Sequence, residues 1–167
     1  TDVDHADLIY SVVSNNSNVA VSVHHTLTNR FSFTPEDNYN GLALISVQVL
    51  DGDGGVAQDS FELTITPVND APVLAGVSNI VFDEDSAGAS LIATASDIDG
   101  DALTFNLVPP TISQMIVTGA NGQYTFTSPS NYNGVETFTL EVTDGIDDPI
   151  SEDFTVTVTA VNDAPII

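Results

Sequence analysis

At 167 residues with 42% apolar side chains, the chain is long enough for two cored domains, and its lack of cysteine excludes disulfides and thiolate metal sites. Twenty-four acidic residues stand against one basic residue, Arg30, and the resulting net charge of −23 repels phosphate backbones and anionic lipid headgroups alike. Nucleic acid and membrane insertion are therefore not expected, and no apolar run is long enough to cross a bilayer as a helix. No signal peptide is visible, and the abrupt start reads as an excerpt from a longer polypeptide.

In chain order, every patterned segment reads as strand. In the first half Phe61, Leu63 and Ile65 alternate with polar residues. Further strands are expected at 79–83, 90–96, 103–107, 114–118 and 123–127. In 136–143 Phe138, Leu140 and Val142 face one way, and Thr137, Thr139 and Glu141 face the other. In 152–159 Phe154, Val156 and Val158 alternate mainly with threonines. Period-two alternation with β-branched residues marks half-buried antiparallel strands. Short strands separated by Gly, Asn, Asp and Pro clusters predict an all-β fold of two packed sheets, with no helical period anywhere.

The sequence repeats itself. FTPEDNYNG at 33–41 matches FTSPSNYNG at 126–134, a spacing of 93 residues that persists through Asp51-Gly52 and Asp144-Gly145, Phe61 and Phe154, and the two VNDAP segments at 68–72 and 161–165. Upstream, TDVD at 1–4 matches SDID at 96–99 with the spacing changed to 95, so one loop differs by two residues. A period of this length suits a whole domain in tandem and not a solenoid unit. The expected division is 1–71 and 72–167. The first copy begins at its Asp-x-Asp and has no counterpart of 73–95, which read as two strands, so an incomplete first sandwich is expected.

The acids gather where strands end. Asp97, Asp99 and Asp101 follow one strand, Asp144-Gly145 another, and Asn162-Asp163 a third; the first copy has Asp2, Asp4, Asp51, Asp53, Asn69 and Asp70 in the corresponding places. In an extended Asp-x-Asp the two carboxylates lie on one face about 7 Å apart. Calcium, a hard cation taking six to eight oxygens, could be gripped by both with other loops completing the shell. Asp-Gly and Asn-Gly also simply make turns, and Asp53, Asp147 and Asp148 are read that way. An EF-hand fails: counted from Asp97, position twelve is Val108, and counted from Asp51, Val56 stands where the loop needs glycine. His24 and His25 would face opposite sides of a strand and His5 is remote, which speaks against zinc. No nucleophile elbow is present, and the carboxylates cluster too tightly for a glycosidase pair, so no enzyme is expected. Tyr39 and Tyr132 share one turn of the repeat and are expected to be buried with their hydroxyls capping it.

Glu84-Asp85, SDIDGDALTF at 96–105, the NYNG element, Thr143-Asp144-Gly145 and PVNDAP at 67–72, in this order, resemble the bacterial cadherin-like repeats of very large surface proteins. The resemblance covers nearly the whole chain and implies Ig-like, Greek-key β-sandwiches with calcium at the junction of successive domains. It implies Asn69 and Asp70 from the linker as ligands, with Asp97, Asp99 and Asp144 from the second domain and Asp101 as a neighbour. Cadherins also use an acid about fourteen residues before the strand-end Asp-Gly, which points to Asp37 with Glu36 beside it. Glu84 would face the next junction, near Asp163, while Asp2, Asp4 and Asp51 would serve a junction whose linker is missing. One or two ions are expected at the junction, not three. The implied function is calcium-dependent adhesion or rigid spacing in a secreted or bacterial cell-surface protein. The partners would be adjacent repeats, identical repeats on another cell or, in the rival reading, a polysaccharide.

Overall fold

The computed structural model describes residues 8–24 and 30–165. The chain divides into two compact units, Thr1–Val68 and Asn69–Ile167. No helix occurs among the described residues; every regular element is a strand.

The first unit contains β1 (Ile9–Ser14), β2 (Val19–Val23), β3 (Phe31–Pro35), β4 (Gly41–Leu50) and β5 (Val56–Ile65). Its sheets are β1-β4-β5 and β2-β3, all antiparallel. The second unit contains β6 (Val73–Ala75), β7 (Ile80–Asp83), β8 (Ala89–Ile92), β9 (Thr94–Ser96), β10 (Thr104–Val108), β11 (Ile116–Ala120), β12 (Gln123–Thr127), β13 (Gly134–Thr143) and β14 (Ile150–Thr159). Its main sheet has the order β10-β13-β14-β7, with β7 parallel to β14; the others are β11-β12-β8 and β6-β9.

The alternation read from 136–143 and 152–159 is the burial pattern of β13 and β14, where Phe138, Leu140, Val142, Phe154, Val156 and Val158 are buried. Phe126, Phe138 and Phe154 form one aromatic cluster with centroids 5.1 to 5.9 Å apart. The pattern is strict because each strand has one face on the core and one in water. Segment 73–95, expected to give two strands, contributes to four. The single strand expected at 90–96 is broken at Ala93, where the chain leaves β8 in one sheet and enters β9 in another. Ala93 is buried and its N–H donates to the Gly122 carbonyl at 2.8 Å, so a hairpin carbonyl fixes the switch. That hairpin turns on Asn121-Gly122, both at positive φ (53° and 80°), as a two-residue turn requires.

The repeated NYNG element has a packing reason. A Cβ on Gly41 or Gly134 would sit 2.9 Å from the hydroxyl of Tyr39 or Tyr132, so each tyrosine lies over the glycine two residues on. Both tyrosines are half-buried, and both hydroxyls are engaged. Tyr39 donates to the Leu42 carbonyl at 3.3 Å and accepts from the Asn16 amide. Tyr132 instead donates to Glu136 at 2.9 Å. Glu136 is buried and also accepts from Ser113 Oγ and the Gln114 N–H, so its charge is held by three donors. Burial, then the Glu136 carboxylate, push the Tyr132 phenol up. Gly134→Ala is expected to displace this ring and lower stability by about 1–3 kcal/mol, measurable by urea denaturation.

Candidate metal centre

At the start of the second unit, strand ends and the leading segment bring several predicted residues together. The loop after β9 folds around Asp97, whose Oδ1 accepts from the N–H groups of Asp99 (2.8 Å), Gly100 (3.0 Å) and Asp101 (3.3 Å). Gly100 at φ 81° permits that turn. The Asp-x-Asp is thus curled, not extended, and its carboxylates are closer than the 7 Å expected of a straight strand. One oxygen each from Asp97, Asp99 and Asp101 lies within 4.8 Å of the others. The second oxygen of Asp97, Oδ2, is buried and has no hydrogen-bond partner.

The leading segment closes on this loop. The Asp70 N–H donates to Asp99 Oδ2 at 2.8 Å, and the Asn69 amide donates to Asp144 Oδ2 and Asp147 Oδ2, both at 2.8 Å. Asp144 Oδ1 accepts from the N–H of Ile146 at 2.9 Å and of Asp147 at 3.2 Å. These donors, the Asn69 amide first, hold the Asp144 carboxyl below its ordinary value of 3.8. A lowered folded-state pKa adds stability that is present above the unfolded value and lost as pH falls through the folded one. In chelator, Asn69→Ala is expected to return Asp144 toward the ordinary carboxylate range, read from its side-chain ¹³C titration by NMR.

Asp147, read from the sequence as a turn residue, joins the group. The first copy has Gly54 in the corresponding place, so the repeat gave no signal for it. At the end of β14, Glu84 is only 6% exposed; its Oε1 accepts from the Val161 N–H at 2.8 Å, and its Oε2 is buried without a partner. Asp163, two residues beyond Val161, is exposed. In the first unit Asp51 Oδ1 accepts from the N–H groups of Asp53 (3.0 Å) and Gly55 (2.6 Å), which makes it a turn former there. Glu36 and Asp37 are exposed in the turn after β3, with the Glu36 N–H on the Asn18 carbonyl at 2.8 Å. Asp2 and Asp4 lie outside the described residues, as do His5 and His25.

The model of the bacterial cadherin-like domain matches residues 69–161, and that of the cadherin-like domain matches residues 1–66. The chain belongs to the cadherin-like domain family. The cadherin-like chain is similar in structure to human Mucin-like Protocadherin EC1-2 (16% identity, TM-score 0.52, covering 91% of this chain and 85% of that one). It is also similar to PcdhgB3 EC1-4 (14%, 0.54, 94% and 41%) and to the extracellular cadherin domains 1-5 of Protocadherin Gamma B2 (16%, 0.52, 95% and 33%). At these identities the likeness shows the fold, and the chain spans less than half the length of the last two solved chains. No curated protein matches the chain. Cadherin-like domains are adhesion-type extracellular modules, typically non-enzymatic, and cadherin-like homologues bind calcium. Among the described residues no helix is long and apolar enough to cross a membrane.

Proposed function

We propose that this cadherin-like pair is a calcium-binding module of a bacterial cell-surface protein, holding repeats in rigid series for adhesion or spacing. The observation that carries the reading is the unpartnered, buried Oδ2 of Asp97 beside the carboxylates of Asp99 and Asp101. A buried carboxylate oxygen with no donor is costly. Two further carboxylates close by raise that cost by repulsion, and a hard divalent cation relieves both. Asp97, Asp99, Asp101 and Asp144, with Asn69 and Asp70, would hold such an ion; Asp147 is added to that set. Glu36 and Asp37 stay in the proposal as ligands from the first repeat. Glu84, with its own unpartnered buried oxygen, and Asp163 are proposed for a second site. Asp2, Asp4 and Asp51 are assigned to a further one. The ion supplies positive charge that gathers the Asn69–Asp70 segment onto the second repeat and orders it.

Isothermal titration with calcium tests this directly. Saturable binding that Asp97→Asn abolishes supports the reading, and no heat at millimolar calcium sinks it. The polysaccharide reading predicts retention on chitin, xylan or cellulose. The tyrosines give it no support: Tyr124 is 7% exposed, and the Tyr39 and Tyr132 hydroxyls are already engaged.

A further inference from the structure

Charge is divided between the two larger sheets of the second unit. The sheet β10-β13-β14-β7 carries Asp83, Glu136, Glu141, Glu152 and Asp153. The sheet β11-β12-β8 carries no acid or base, and neither do the whole stretches 86–96 and 102–135 that contain its strands. In a chain with 24 acids among 167 residues, this clears one sheet face of charge. The inward side chains of that sheet, Leu91, Tyr124 and Phe126 among them, are buried in the core. Alternation therefore turns Ser90, Ile92, Thr118, Gln123 and Thr125 to the outside.

These five line an open depression of about 270 Å³. Register sets them in two rows across the strands. Thr118 pairs with Thr125 and Thr125 with Ser90, a row of three hydroxyls reaching about 10 Å across three strands. Gln123 pairs with Ile92, which is 66% exposed, so an amide and a bare aliphatic side chain lie beside that row. Ser90 Oγ and Thr125 Oγ1 are 3.0 Å apart, so one donates to the other. The accepting hydroxyl of that pair keeps its own proton for a ligand, and the bond it accepts polarises it into a better donor.

We infer that this depression on the second repeat is a binding site for a pyranose unit of a neutral glycan. Hydroxyls and an amide that both donate and accept match the ring hydroxyls of a sugar, and Ile92 offers an apolar contact to its C–H face. The charge pattern selects for neutrality. An anionic glycan is repelled by the net charge of −23, and a cationic ligand is drawn instead to the acids of the other sheet and of the loops. The first repeat has Arg30 where the second has Gln123, so the same set of side chains is not repeated there. The depression shares no residue with the proposed calcium sites, and its occupation stands or falls separately from theirs.

The test is NMR of the ¹⁵N-labelled full chain, titrated with soluble oligomers of glucose, N-acetylglucosamine, xylose and mannose, and with oligogalacturonate as the acidic counterpart. Saturable amide shifts at 90–92, 118–119 and 123–125 are expected with at least one neutral oligomer and none with oligogalacturonate. Thr118→Val combined with Thr125→Val keeps both β-branched shapes and removes two hydroxyls. The double variant is expected to bind at least about tenfold more weakly, with its amide spectrum outside this sheet unchanged. No shifts with any neutral oligomer, at the solubility limit of each, overturn the inference, as does unchanged affinity in the variant. Equal binding of oligogalacturonate overturns the neutral class of ligand. Shifts at the same amides that grow with protein concentration alone would also overturn it, making the occupant a second copy of the chain.

Discussion

Calcium at millimolar concentration is expected to raise the melting temperature of the second repeat by about 10 °C or more over chelator. Ion at a hundredfold excess over its dissociation constant adds about 2.7 kcal/mol, and a domain of 60–100 residues moves by roughly 4–8 °C per kcal/mol. The informative variant is Asp97→Asn. Its side-chain carbonyl still accepts from the N–H groups of Asp99, Gly100 and Asp101, so the loop keeps its turn. Its amide replaces the unpartnered Oδ2 with a donor beside two carboxylates. In chelator the variant is therefore expected to melt no lower than the wild type, while the calcium shift is lost. If Asp97 only shaped the loop, the two proteins would respond alike to calcium. Circular dichroism melts at fixed protein concentration, with and without chelator, separate these outcomes.

The second large effect lies in the cores. Phe154→Ala is expected to cost about 3–5 kcal/mol, the range for removing a fully buried aromatic and leaving its cavity. Phe61→Ala, at the matching position, is expected to cost only about 1–2 kcal/mol, because nearly half of the ring already faces water and no closed cavity forms. Urea denaturation of both variants checks the ratio. Equal losses would mean that the first unit closes over Phe61 in solution.

Much of this molecule is legible without coordinates. Alternation at Phe138, Leu140 and Val142 gave the strand and its buried face, because a strand against one core alternates with period two whatever it packs on. The shared NYNG turn marked the repeat, since its glycine must be bare where a tyrosine lies on it. Loop acids at strand ends were visible as candidates, because Asp-Gly turn chemistry is local. Other features were not local. The break at Ala93 depends on a carbonyl about thirty residues away, at Gly122, and nothing in SLIATAS at 90–96 announces it.

Sequence alone therefore determined the class and the tandem period, and it marked strand-end acids as candidates: the class and the candidates follow from alternation and turn chemistry within a few residues, the period from two matching segments. Only the tertiary structure decided that Asp147 sits with Asn69, and that Tyr39 takes Asn16 where Tyr132 takes Glu136. It also decided that one oxygen each of Asp97 and Glu84 is buried without a donor, and that Phe61 is open where its twin is closed. Burial and partnership are set by what the rest of the chain brings to a residue, and identical short patterns in two copies receive different surroundings.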